Sequence, residues 1–323
     1  MTRALDLFLK PLNHYLNDNE VSEIVMNREC ELFVEKRGAF DCHHEPLLNK
    51  ERVTQLAQLI AEYNNKTISQ TNPLLSATLP SGARCQFVLP PACDLNQIIF
   101  SIRKPSTHEI ELKDWFKNGL LKKDKKNDFY KELGELKEKG DYGLLMETAI
   151  LGKCNMIISG GTSTAKTTFL NTCLKKIPLH ERIITIEDVR ETQTPHPNVA
   201  HLLATDNDDP NLNSHKTSML DLLKASLRLR PDRIFLAELR GNQAYPFLRA
   251  AISGHPGSMT TLHADTIEHA KTQLKFMLAE SKELQYASNE RLIELIDSSI
   301  DIIVQMDRAG SSRAPSDIYI KGL

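Results

Sequence analysis

Ser159-Gly160-Gly161-Thr162-Ser163-Thr164-Ala165-Lys166-Thr167-Thr168 is the stretch on which the reading of this chain turns. The apolar run Met156-Ile157-Ile158 precedes it and a helix-like segment, 168–175, follows. A strand, a small-residue loop and then a helix aim several backbone N–H groups and one helix dipole at a single anion. The spacing follows GxxxxGK[ST], so Lys166 is expected to reach the β- and γ-phosphates and Thr167 to ligate the magnesium ion that travels with them. Gly160 and Gly161 let the backbone approach closely and turn sharply. The candidate nucleotide-binding set is therefore Gly160, Gly161, Thr162, Ser163, Thr164, Ala165, Lys166, Thr167 and Thr168. Ala165 stands where the second glycine of the pattern is expected. If that position needs a positive φ, alanine costs about 1–2 kcal/mol. Charged wholly to affinity, this is a loss of roughly five- to thirtyfold. A Gly/Thr-rich turn with no ligand is the plain alternative.

Three downstream features belong to a nucleotide hydrolase more than to a passive binder. The segment Arg182-Ile183-Ile184-Thr185-Ile186-Glu187-Asp188-Val189-Arg190-Glu191 ends an apolar strand in acids, where a parallel sheet opens its ligand crevice. Glu187 is a candidate to orient an attacking water or support magnesium, while Asp188 and Glu191 read equally well as a solvated loop. Arg233-Ile234-Phe235-Leu236-Ala237-Glu238-Leu239-Arg240 is a second apolar strand, tipped by Glu238. One acid at such a tip commonly organises the metal and its water. Arg240 is then a candidate to neutralise phosphate charge, with a structural salt bridge as the alternative. Finally, 254–265 holds His255 and His263 on either side of a strand-like step. A lone histidine is more often a satisfied core residue. Two of them after two acidic strand tips read as a γ-phosphate sensor working by hydrogen bonding.

Outside these motifs, dense apolar runs at 155–159, 182–186 and 234–237 alternate with helical stretches from residue 141 onward. That alternation predicts an α/β fold with a mainly parallel sheet and helices on both faces. Residues 1–105 read as a small α+β amino-terminal domain. Helical periodicity covers 3–17 and 50–63, strands are expected at 21–27, 31–35 and 97–103, and a hairpin at 74–79 and 84–89 turns through Pro80-Ser81-Gly82. Residues 106–140 are rich in lysine and glutamate, and read as an interdomain linker, helical from about residue 129. Its run Lys122, Lys123, Lys125 and Lys126 reads as a solvated linker, with contact to anionic lipid as the alternative, and Trp115 with Phe116 as the point where the linker docks on a folded surface. The third segment, 141–323, carries the phosphate loop.

Composition narrows the function classes. The 323 residues are 41% hydrophobic and 25% charged, with a formal net charge of −2. That is a globular profile with no global attraction to nucleic acid. No apolar run approaches the roughly 18 residues of a membrane span, and 1–10 shows no secretory signal. Six cysteines without CxxC spacing read as free thiols in a reducing cytosol, rather than as a zinc site.

Taken together, the phosphate loop at 160–167, acidic box at 185–191, Glu238 strand at 234–240 and histidine box at 254–265 resemble the secretion ATPases, most of all those of type IV secretion systems. Thr185-Ile186-Glu187-Asp188, Ala237-Glu238-Leu239-Arg240 and Thr261-Leu262-His263-Ala264 are each close to the family's form. The likeness extends to Pro80-Ser81-Gly82-Ala83-Arg84-Cys85-Gln86-Phe87-Val88 and Ser101-Ile102-Arg103-Lys104-Pro105-Ser106. It implies a RecA-like ATPase domain, bound ATP and Mg2+, and Arg84 and Arg103 near the γ-phosphate. Catalytic roles fall on Lys166, Glu187, Glu238 and His263, and nucleotide contacts on Arg240 and His255. Gln243 departs from the family, which often carries glutamate there. The implied assembly is a homohexamer, attached peripherally at the cytoplasmic face of the inner membrane through other secretion-system ATPases and membrane components. The implied work is substrate export or pilus assembly, without sequence-specific nucleic-acid binding. The length of 106–140 is similar to the branch in which one copy's carboxy-terminal domain packs beneath a neighbour's amino-terminal domain. The alternatives are a nucleotide-gated scaffold with little turnover, a pilus-retraction or type II secretion motor, and a DNA-translocating motor.

Overall fold

A computed structural model of the chain describes residues 2–105, 111–112, 126–205 and 216–323. Strands β1 (Val21–Arg28), β2 (Glu31–Lys36), β3 (Ala39–His44), β4 (Leu74–Thr78), β5 (Arg84–Val88) and β6 (Ile99–Arg103) form one antiparallel sheet in the order β3-β2-β1-β6-β5-β4. Alternate residues such as Ile24 and Met26, Leu32 and Val34, and Phe100 and Ile102 point to one face. Helices α1 (Thr2–Asn17) and α2 (Lys50–Tyr63) cover that face with Leu5, Leu9, Leu12, Val53, Leu56 and Ile60. Pro11 lies inside α1 and has no N–H for the carbonyl of Leu7, and the Arg52 guanidinium donates to that carbonyl at 2.8 Å instead. Strand β3 escaped the sequence reading because its residues are mostly exposed on a sheet edge and show no apolar alternation.

The second sheet has the order β13-β12-β7-β11-β10-β8-β9, from β7 (Met156–Gly160), β8 (Ile183–Glu187), β9 (Val199–Leu203), β10 (Arg233–Leu236), β11 (Met259–Leu262), β12 (Ile302–Ala309) and β13 (Ser312–Ile320). Every pairing is parallel except β12 with β13. Neighbouring strand residues face opposite cores, as a period of two requires. Ile157, Ile184, Ile234 and Ile303 meet α6 (Met219–Ser226), α7 (Ala244–Ile252), α8 (Ile267–Ala279) and α9 (Asn289–Ser299). Met156, Ile158, Phe235 and Ile302 meet α3 (Lys126–Glu138), α4 (Tyr142–Leu151) and α5 (Lys166–Leu174). Helix α3 begins three residues before the expected 129 and buries Leu133 against this second core, with Lys137 donating to the Ile318 carbonyl. Trp115, Phe116, Lys122, Lys123 and Lys125 lie outside the described residues.

The two sheets meet along a seam that mixes apolar and polar contacts. Val88, Ala92, Cys93 and Ile99 join the core of the second sheet beside Ala200 and Leu202. The fully buried Arg182 donates to Asn27 at 2.8 Å and to the Leu229 carbonyl at 2.8 Å, while Asn27 donates to Asn198 at 2.9 Å. No helix among the described residues is long and apolar enough to cross a membrane.

At the amino edge of β10, Arg233 is fully buried and donates twice to Glu181 at 2.9 Å and once to the Ile150 carbonyl at 2.8 Å. Gly257, with a φ of 79°, lies against that guanidinium, and a Cβ there would fall 2.5 Å from it. Burial alone would push the Glu181 carboxyl up, but hydrogen bonds and charges from Arg233 and Lys153 outweigh it and hold it at about 2, against an ordinary 4.5. A carboxylate with a depressed folded-state value stabilises the fold fully above about pH 4.5 and loses that contribution as pH falls towards 2. Arg233→Met is expected to cost about 3 kcal/mol at pH 7, because it removes two of the hydrogen bonds to a buried carboxylate and leaves it to Lys153. Urea unfolding checks this, and the deficit should shrink at pH 3.

Candidate functional site

Register sets the site. In the parallel pairing of β7 with β11, Ser159 lies opposite Leu262, so Gly160 and His263 leave the sheet side by side. Strand β10 runs between β11 and β8 with Leu236 opposite both Thr260 and Ile186, which brings Glu238 and Asp188 to the same edge. Leu239 N donates to the Thr261 carbonyl at 3.0 Å, and the Thr261 hydroxyl to the Ala237 carbonyl at 2.7 Å. These bonds hold the 237–239 turn beside the start of 263–265.

The loop itself curls tightly. A Cβ at Gly160 would fall 2.5 Å from both the Met306 carbonyl oxygen and the Thr164 hydroxyl, so only glycine fits. Ser163 and Ala165 have φ of 61° and 69°, left-handed conformations that disfavour a Cβ. The expected positive φ at Ala165 is thus present, and Ala165 sits at the N-cap position of α5 without a side-chain cap bond. Thr164 donates its hydroxyl to the Gly161 carbonyl at 2.9 Å. Lys166 Nζ donates to the carbonyls of Gly160 and Gly161, each at 2.8 Å. Burial pushes the Lys166 ammonium down, with the Glu238 charge pulling it partly back. Thr162, Ser163 and Thr168 are exposed, and Thr167 is half-buried in the first turn of α5.

From Lys166 a chain of polar groups runs across the sheet edge. Lys166 Nζ lies 3.4 Å from His263 Nδ1, His263 Nε2 lies 3.6 Å from Glu238 Oε1, and Glu238 Oε2 accepts from Arg240 at 2.7 Å. Arg240 donates its other arm to Asp188 at 3.1 Å. An ammonium has no lone pair, so Nδ1 of His263 must be the acceptor, and in the neutral ring the proton sits on Nε2, facing Glu238. The Arg240 salt bridge is therefore present, and Arg240 joins Lys166 only through Glu238 and His263. For magnesium, the hard oxygen donors at this rim are the Thr167 hydroxyl, the Glu238 carboxylate and the Asp265 carboxylate, whose Oδ1 would lie 3.9 Å from a Cβ at Gly161. Among the described residues no group of three or more His, Cys, Asp or Glu converges as a metal cage. One or two protein oxygens, with phosphate and water completing the shell, is the usual way magnesium is held beside a nucleotide.

Other candidates lie elsewhere. Glu187 is buried and its carboxylate is committed: Thr185 donates to Oε2 at 2.9 Å, and the N–H groups of Glu191 and Thr192 to Oε1 at 3.0 and 2.6 Å. It braces the 188–192 loop rather than presenting itself to a water beside Lys166. His201, which the sequence reading missed, sits 2.7 Å from the Thr185 hydroxyl, and burial with the charges of Arg190 and Arg28 pushes it down to about 3. His255 precedes β11 and His263 follows it, so the two occupy opposite edges of the sheet, about 13 Å of strand apart. His255 donates Nδ1–H to the Pro231 carbonyl at 3.0 Å and does not join the loop. Nor, within one chain, do Arg84 and Arg103. They lie directly opposite each other on β5 and β6 and line a cavity of about 390 Å³ with Lys66 and Arg228.

The type II/IV secretion system protein family matches residues 9–312. Curated relatives include the type IV secretion system protein VirB11 of Brucella suis, 35% identical over 98% of this chain and 90% of its own length. PtlH of Bordetella pertussis, also a type IV secretion system protein, is 32% identical over 98% of this chain and 95% of its own. Among solved structures, the VirB11 ATPase from the Brucella suis type IV secretion system, in complex with sulphate, superposes with a TM-score of 0.89 at 34% identity, covering 98% of this chain and 94% of that one.

Removing the left-handed alanine tests the loop's strain directly. Ala165→Gly is expected to tighten the binding of a fluorescent ATP analogue by roughly five- to thirtyfold, the affinity equivalent of about 1–2 kcal/mol. Equilibrium titration reads the change.

Proposed function

The chain belongs to the type II/IV secretion system protein family, and from that membership and the geometry at the sheet edge we propose that it hydrolyses ATP to power a type IV secretion system. The observation that carries this reading is the run of contacts from the phosphate loop through His263 and Glu238 to Arg240. Loop amides and Lys166 would hold the phosphates, and Thr167 with Glu238 would hold the magnesium, which would neutralise charge on the phosphate oxygens. Glu238 polarises the attacking water, and His263 registers whether Lys166 is engaged with phosphate or with the loop. Glu187 acts at one remove, by fixing the loop that carries Asp188. Phosphoryl transfer asks for little more than such positioning and charge neutralisation.

Arg84 and Arg103 line a cavity that includes none of residues 160–167, and by likeness to the family they serve the nucleotide from a neighbouring copy in a ring, a homohexamer. Nucleotide then closes one copy's 1–105 unit on another's 141–323 unit, and loss of the γ-phosphate releases it. The ring works on the cytoplasmic face of the inner membrane, held there by other components of the secretion machine. A nucleotide-gated scaffold is the rival, favoured by the left-handed Ala165.

Steady-state hydrolysis of Mg-ATP, with and without phospholipid vesicles, separates the two. Glu238→Gln is expected to lower kcat about a hundredfold while nucleotide still binds, and Lys166→Ala to lose binding. A parent chain that binds ATP yet turns over no faster than Lys166→Ala is a scaffold.

A further inference from the structure

The carboxy-terminal hairpin of β12 and β13 runs past the sheet edge beside the phosphate loop. Strand β12 pairs with β7 up to Met306 opposite Gly160, and the Met306 carbonyl is what leaves Gly160 no room for a Cβ. The hairpin then continues alone through Asp307 opposite Ala314, Arg308 opposite Arg313 and Ala309 opposite Ser312. Three residue pairs amount to about 10 Å of projecting ribbon. From it Arg313 donates Nε–H to the Ser163 carbonyl at 2.8 Å. Two arginines directly opposite each other repel, so the pair destabilises the exposed tip unless another role offsets the cost.

We propose that Arg313 is a positioning residue for nucleotide binding: the hairpin clasps the phosphate loop and holds its left-handed middle in the shape that receives phosphate. Ser163 and Ala165 both occupy conformations natural to glycine, so this loop is less able than a glycine-rich one to keep its shape unaided. Arg313 fixes the Ser163 carbonyl, which lies between them in the chain. Because the Ser163–Thr164 peptide is planar and trans, anchoring that carbonyl turns the Thr164 N–H the opposite way, away from the hairpin. Among the described residues, Arg313 donates to the Ser163 carbonyl alone, and no carboxylate pairs with it. The clasp has consequence only where 160–167 binds nucleotide, so it rests on the function proposed above.

The test uses the full chain and a fluorescent ATP analogue with Mg2+. Arg313→Ala is expected to weaken binding about tenfold, or about 1.4 kcal/mol, the loss of one hydrogen bond. The melting temperature without nucleotide should stay unchanged and KM should rise more than kcat falls. Arg313→Lys, which can still donate to the Ser163 carbonyl, should recover most of the affinity. Ser163→Gly relieves the left-handed strain, so Arg313→Ala should cost much less in that background. Binding equal to the parent in Arg313→Ala, or the same tenfold loss with Ser163→Gly present, overturns the clasp. So does a fall in the nucleotide-free melting temperature that accounts for the lost affinity. If the parent itself does not bind while folding normally, the fault lies with the nucleotide reading, which Lys166→Ala then cannot worsen.

Discussion

The parallel register of β7, β11, β10 and β8 is the constraint on which everything at the sheet edge depends. Ser159 opposite Leu262, and Leu236 opposite Ile186, deliver Gly160, His263, Glu238 and Asp188 to one rim. The register is in turn held by burial on both faces: Ile157 and Ile158 belong to different cores, so a one-residue slip would exchange their environments along the whole strand. The site is thus a by-product of two hydrophobic cores agreeing on one alignment.

Within that frame the loop carries strain that its neighbours offset. Ser163 and Ala165 adopt left-handed conformations, and the contacts that oppose relaxation come from several places: Thr164 within the loop, Lys166 from the helix, and the backbone of β12 against Gly160. A lysine that binds its own loop carbonyls and touches His263 has two alternative partners, carbonyl or phosphate. Such an exchange gives the chain of groups ending at Arg240 something to respond to.

Much of this was legible in the sequence where a strand tip announces itself. The runs before Gly160 and Glu238 are apolar and dense, so their carboxyl ends, and the residues there, could be located by pattern alone. The same logic misled for His255, because 254–265 spans a whole strand and its two histidines leave from opposite edges. Glu187 also ends a strand, but its carboxylate is taken by Thr185 and two backbone amides, which linear sequence does not reveal. Arg84 and Arg103 are brought together by β5–β6 pairing, and the cavity they line includes none of residues 160–167. Strand β3 and the outer part of the β12–β13 hairpin left no signal, since exposed ribbons need no apolar alternation.

The most direct measurement is the position of the Lys166 ammonium in a crystal grown with Mg2+ and a non-hydrolysable ATP analogue. The account predicts that Nζ leaves the carbonyls of Gly160 and Gly161 for phosphate oxygens, with Glu238 turned to the magnesium shell. Nucleotide seated away from the loop, or Lys166 still bound to both carbonyls beside a bound nucleotide, would contradict it.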